Sequence, residues 1–137
     1  MRFVDTNVLL YAISTDAGES PKAERARTLL TGRDLRLSVQ VLQEFYVQAT
    51  RQSREDALNH DDAYYLVQTF LRFPVQTTTT ALMLAATETR QRFGISYWDA
   101  AVIEAARASG CEVVLSEDLD EGTDYDGVTV EDPFRGL

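Results

Sequence analysis

The sequence predicts an α/β fold built on a mainly parallel sheet. Three observations predict it. Short apolar runs rich in Val, Leu and Phe recur along the chain. Longer segments of helical period lie between them. Capping residues and glycines mark where those segments start and stop. Consecutive strands are therefore expected to join through helices and not through hairpins.

Arg2–Val4 reads as a short strand that ends at Asp5. Asn7–Ile13 follows as a short apolar helix, and Thr15–Ser20 as a loop. Ser20 before Pro21 places an N-cap ahead of a proline at the first helical position, which predicts a helix to about Thr31, closed by Gly32. Leu35–Leu37 is a second strand. Ser38 caps a helix running to about Gln52. Ser53 and Asp56 have the spacing of a capping box, which predicts a further helix to about Arg72. Pro74–Gln76 is a third strand, and Thr77–Thr80 a turn into a helix from about Thr79 to Arg92 that Gly94 ends. Ser96 caps the next helix, which stops at Gly110. Glu112–Leu115 is the clearest strand and Val128–Val130 a weaker last one. In such a sheet the strands end on one edge, where open α/β sheets bind ligands.

At 137 residues and 45% hydrophobic, the chain has material for one core, and a single domain over 1–137 is expected. No apolar run approaches the ~20 residues of a membrane span. The opening Met1-Arg2-Phe3-Val4-Asp5 lacks the sections of a signal peptide. Cys111 is the only cysteine, so an internal disulfide is excluded, and a reducing, cytoplasmic location is expected. Cys111 itself reads as core packing.

A net charge of −9 argues against a broad nucleic-acid-binding surface. The bases are nearly all arginine, paired at Arg25/Arg27, Arg33/Arg36, Arg51/Arg54 and Arg90/Arg92. Arginine offers forked donors suited to phosphate. His60 is the only histidine, so a mechanism needing two in one subunit is excluded. It reads as a surface helix residue. Lys22, the only lysine, is placed far from any strand end. No glycine-rich phosphate loop is present.

Four acids occupy positions awkward for a carboxylate. Asp5 and Asp118 follow strands, and they meet if those strands are neighbours. Asp99 heads an apolar helical stripe with Val102, Ile103 and Ala106. Glu44 is flanked by apolar residues in Leu42-Gln43-Glu44-Phe45. Each has a plainer role available. Asp5 or Asn7 caps the first helix, Ser96 and Asp99 form a capping box, and Glu44 faces solvent. Glu117, Asp118 and Asp120 share one acidic loop, in which Asp118 lies closer to the strand end than Asp120. Taken together, the four acids point to a divalent cation, because buried carboxylates need a compensating charge and lysine is nearly absent.

These segments resemble the PIN domain family of metal-dependent ribonucleases, above all the VapC-type toxins of toxin–antitoxin pairs. The resemblance rests on Phe3-Val4-Asp5-Thr6-Asn7-Val8-Leu9-Leu10-Tyr11, Gln43-Glu44-Phe45, Ile95-Ser96-Tyr97-Trp98-Asp99-Ala100-Ala101 and Val114-Leu115-Ser116-Glu117-Asp118-Leu119. It implies a three-layer α/β/α sandwich with a mainly parallel central sheet. It implies a catalytic quartet of Asp5, Glu44, Asp99 and Asp118, with Mg²⁺ (or Mn²⁺) on Asp5, Asp99 and Asp118. Thr6, Asn7, Ser116 and Asp120 support it. An RNA substrate, a homodimer and an inhibitory antitoxin are implied as well, the antitoxin in a groove between the helices at 20–32 and 39–72, near Tyr46, Tyr64 and Tyr65. A housekeeping RNA-processing nuclease and a non-catalytic PIN-like interaction module are the alternatives. A receiver-like domain needs a lysine after a late strand, and a haloacid-dehalogenase-like phosphatase needs that lysine and an Asp-x-Asp start. Neither feature is present.

Overall fold

A computed structural model describes all of residues 1–137. The first half comprises β1 (Arg2–Val4), α1 (Thr6–Ala12), a 3₁₀ turn (Ala17–Glu19), α2 (Ser20–Leu29), β2 (Leu35–Ser38), α3 (Val39–Ala49) and α4 (His60–Phe70). The second comprises β3 (Val75–Gln76), α5 (Thr80–Phe93), α6 (Tyr97–Ala108), β4 (Val113–Leu115), β5 (Asp124–Tyr125) and β6 (Val128–Glu131).

The six strands form one sheet in the order β3-β2-β1-β4-β6-β5. All neighbours are parallel except β5 and β6. From β1 the chain steps outward to β2 and then β3, carrying α1–α4. It then crosses back with α5 and α6 to lay β4 on the other side of β1. Right-handed crossovers in opposite directions put α1–α4 on one face and α5–α6 on the other, which is the expected α/β/α sandwich. The reversal falls between β1 and β4, the place where open α/β sheets form their ligand crevice.

The core is apolar and continuous. Phe3, Val4, Leu35, Leu37, Val114 and Leu115 from the strands pack with Val8, Leu9, Val41, Phe45 and Ile103 from the helices. Cys111 belongs to it, as packing predicts. Three helix starts follow the sequence closely. Ser38, Thr79 and Ser96 each accept a backbone N–H of the first turn on their hydroxyl, from Val41, Leu82 and Asp99.

Four expectations fail. Ser20 is inside α2 rather than capping it, because the 3₁₀ turn runs directly into the helix and places Glu19 at the cap. The Ser53/Asp56 capping box does not form, and ten residues separate the end of α3 from the start of α4, with Asn59 as N-cap. Asp56 is instead drawn across to Thr15, accepting its N–H (3.0 Å) and hydroxyl (3.2 Å), while Arg54 pairs with it at 2.7 Å. A hairpin is present after all: Asp126 and Gly127, both at positive φ, turn β5 back onto β6. Asp-Gly is the usual two-residue hairpin signal. Lys22 is not remote from the strand ends, since its Nζ lies 2.8 Å from Glu117 just past β4. No helix is long and apolar enough to cross a membrane.

Gly94 closes α5 at φ +66°, and a Cβ there meets open space. Gly94→Ala therefore tests backbone strain alone. An expected loss of about 1 kcal/mol in urea unfolding follows from the left-handed conformation. Unchanged stability would show that the α5–α6 corner relaxes to another geometry.

Candidate functional site

The ends of β1 and β4 set the site. Val4 lies beside Leu115, so the residues that follow, Asp5 and Ser116, emerge side by side. Asp5 is only 8% exposed. It is the N-cap of α1, with one carboxylate oxygen accepting the Thr6 N–H (2.8 Å) and the other the Ser116 hydroxyl (2.8 Å). Ser116 Oγ in turn accepts the N–H groups of Asp118 (3.1 Å) and Leu119 (3.3 Å). The turn after β4 is thereby wound around the hydroxyl that holds Asp5.

Asn7 joins the two chain segments. Its Nδ2 donates to Ser116 Oγ (3.1 Å) and Asp118 Oδ2 (3.3 Å) and lies 3.4 Å from Asp5 Oδ2. Its Oδ1 accepts the Glu117 N–H at 3.1 Å, which fixes the amide orientation. Thr6 donates its hydroxyl to Glu44 Oε2 (3.1 Å), and Gln40 donates to Glu44 Oε1 (3.1 Å). Asp99 enters from the first turn of α6.

Asp5, Glu44, Asp99 and Asp118 line one cleft of about 190 Å³, with Thr6, Asn7, Leu10, Gln40, Gln48, Trp98 and Val102. Ser116 lies behind this lining. Asp120 is exposed and outside it, but its charge still acts on Asp99. Glu117 turns away and binds Tyr11 (2.9 Å) and Lys22. His60 stays on the surface, sharing a hydrogen bond with Tyr46. Sequence reasoning missed Gln40, Tyr11 and Lys22. The only signal for Gln40 was its i,i+4 spacing to Glu44.

No lysine or arginine pairs with any of the four carboxylates. Burial pushes Asp5 up to about 6; its bonds to Ser116 and Thr6 oppose the shift, and the charges of Asp118 and Glu44 reinforce it. Asp99 is raised for the same first reason, with Ser96 opposing and Asp118, Glu44 and Asp120 adding repulsion. The arginines do not relieve this. Arg25, Arg27 and Arg36 donate to backbone carbonyls, and Arg54 faces Asp56.

An all-oxygen donor set under mutual repulsion fits a hard divalent cation. No three His, Cys, Asp or Glu side chains stand close enough to hold an ion alone. The fit is thus to a cation on one or two carboxylates directly, with the others acting through water, as Mg²⁺ prefers.

The model of the PIN domain family matches residues 2–122. The chain belongs to the PIN domain family. No curated protein sequence matches it. Among solved structures, VapC20 of Mycobacterium tuberculosis, described as a sarcin–ricin loop cleaving toxin, is 22% identical with a TM-score of 0.68, covering 86% of this chain and 92% of that one. A toxin–antitoxin complex from Klebsiella pneumoniae is 16% identical with a TM-score of 0.71 over 98% of both chains. A DNA-bound VapBC from Salmonella typhimurium is 20% identical with a TM-score of 0.68, covering 96% and 97%. At these identities the likeness is one of fold.

The raised Asp5 pKa has a thermodynamic consequence in metal-free protein. The folded state holds the proton more tightly than the unfolded chain, so stability is highest below 3.8 and falls as pH rises through about 6. The expected loss is about 3 kcal/mol. Urea unfolding in EDTA should show it in wild type and not in Asp5→Asn. Parallel pH profiles for the two would mean that Asp5 titrates at its ordinary value.

Proposed function

We propose that this PIN protein is a Mg²⁺- or Mn²⁺-dependent endoribonuclease, the toxin of a type II toxin–antitoxin pair. One observation carries the reading: four carboxylates without a cationic partner line a single cleft at the sheet's switch point. Asp5 and Asp99 would hold the main cation, and Asp118 and Glu44 would complete the site through water. When bound, the cation supplies Lewis-acid polarisation of the scissile phosphate and acidifies water for in-line attack on phosphorus.

The chain's own residues set the geometry. Ser116 and the Thr6 N–H hold Asp5 in one orientation. Asn7 ties Asp118 to the same corner, and Thr6 with Gln40 fixes both oxygens of Glu44. No general-base side chain is needed, consistent with a chain whose single histidine lies elsewhere. The toxin assignment draws on two neighbours, one described as a toxin and one as a toxin–antitoxin complex. An antitoxin is proposed on the same basis, and a homodimer on the resemblance to the family. An apolar groove between α3 and α4, lined by Leu42, Tyr46, Val47, Tyr64, Val67 and Leu71, is the antitoxin's candidate seat. Neither α2 nor Tyr65 lines it, unlike the sequence expectation.

The test is cleavage of total RNA with Mg²⁺ or Mn²⁺. Wild type should give discrete products with 5′-phosphate and 3′-hydroxyl ends. EDTA or Asp99→Asn should abolish them, and Asn7→Ala should slow cleavage by roughly 10- to 100-fold, as for groups that orient metal ligands. Cleavage that survives in folded Asp99→Asn would refute the assigned site. Metal-loaded wild type that leaves every RNA intact would favour an interaction module.

A further inference from the structure

We propose that Trp98 is a stacking platform for the unpaired RNA base next to the scissile phosphate, an inference that rests on the nuclease reading above. Trp98 is the only tryptophan of the chain and is 63% exposed. An indole left in water carries a large uncompensated apolar surface. Most exposed apolar side chains need no explanation, but this one lies on the wall of the carboxylate cleft, with Asp5, Glu44, Asp99 and Asp118. It immediately precedes Asp99.

Its backbone is tied to the catalytic machinery. The Trp98 carbonyl accepts a hydrogen bond from Gln40 Nε2 at 3.3 Å, the same nitrogen that holds Glu44 Oε1 at 3.1 Å. The residue lies in the first turn of α6, where Ser96 caps the helix. Tyr97 packs against the indole edge-to-face, with centroids 5.1 Å apart and planes at 86°. The ring is therefore braced at the lip of the cleft while most of its surface stays open.

Electrostatics make such a platform useful. The cleft is lined by acids and by no lysine or arginine, and the chain carries a net charge of −9. The lining therefore offers a polyanion no attraction beyond that of a bound cation. Stacking on an aromatic ring is independent of charge, and every base has a π-face to offer. It also requires a base that is out of its duplex, so the substrate class is single-stranded or looped RNA. The indole thereby places one nucleotide while the carboxylates act on the phosphate beside it.

Trp98 is also its own reporter. A mixed-sequence single-stranded octaribonucleotide is titrated into Mg²⁺-loaded protein while indole fluorescence is followed, with strand integrity checked on a gel. An abasic ribose-phosphate strand of equal length is the comparison. The intact strand should quench the indole and bind about 10-fold more tightly than the abasic one. With affinity read instead from the anisotropy of a fluorescein-labelled strand, Trp98→Leu should lower affinity for the intact strand to the abasic level, and Trp98→Phe should retain most of it. Equal affinity for both strands would overturn stacking while leaving phosphate binding in place. Failure of wild type to bind either strand would overturn the nuclease reading along with it. Unchanged RNA affinity in Trp98→Leu, with a shift from dimer to monomer in sedimentation, would assign the indole to a subunit interface instead.

Discussion

The site depends on the burial of one carboxylate. Asp5 ends β1 where the chain has just laid down its first strand, and β4 arrives beside it only after the sheet has been built outward and crossed back. The Ser116 hydroxyl then meets Asp5 at 2.8 Å across that junction. Burying an anion is costly unless its charge is answered. Two hydrogen bonds answer part of it, but the neighbouring charges of Glu44 and Asp118 add to the penalty. The remainder is a standing demand for a cation, built into the topology rather than into any one loop.

Around that demand the residues divide by reach. Asn7, Thr6, Gln40 and Ser116 carry no charge and spend their hydrogen bonds aligning carboxylates. Lys22, the one ammonium near the strand ends, is held by Glu117 and Tyr11 and does not neutralise the quartet. This separation matters for chemistry: a lysine among the four acids would relieve the repulsion that favours a divalent ion.

Much of this was legible in the sequence because strand ends and helix stripes are local patterns. Asp5 and Asp118 could be placed at strand ends, and Asp99 on an apolar stripe, from a few residues each. Their meeting was conditional on β1 and β4 being neighbours, which strand order alone decides. The caps at Ser38 and Ser96 were equally local. The Ser53/Asp56 box failed because a distant partner, Thr15, competed for Asp56, and nothing near residue 56 encodes residue 15. The ion pair of Lys22 with Glu117 spans 95 positions and was hidden for the same reason. The β5–β6 hairpin is different: Asp126-Gly127 is a clear local signal, overlooked because the strand before it, β5, has only two residues.

Calorimetric titration of Mn²⁺ into metal-free protein at pH 6, in two buffers of different protonation enthalpy, addresses the cation demand at its source. With Asp5 titrating near 6, binding should release about half a proton per cation at that pH and almost none at pH 8. Equal heats in the two buffers at pH 6 would mean that Asp5 is already ionised without the ion, and no saturable heat in either buffer would contradict the cation site.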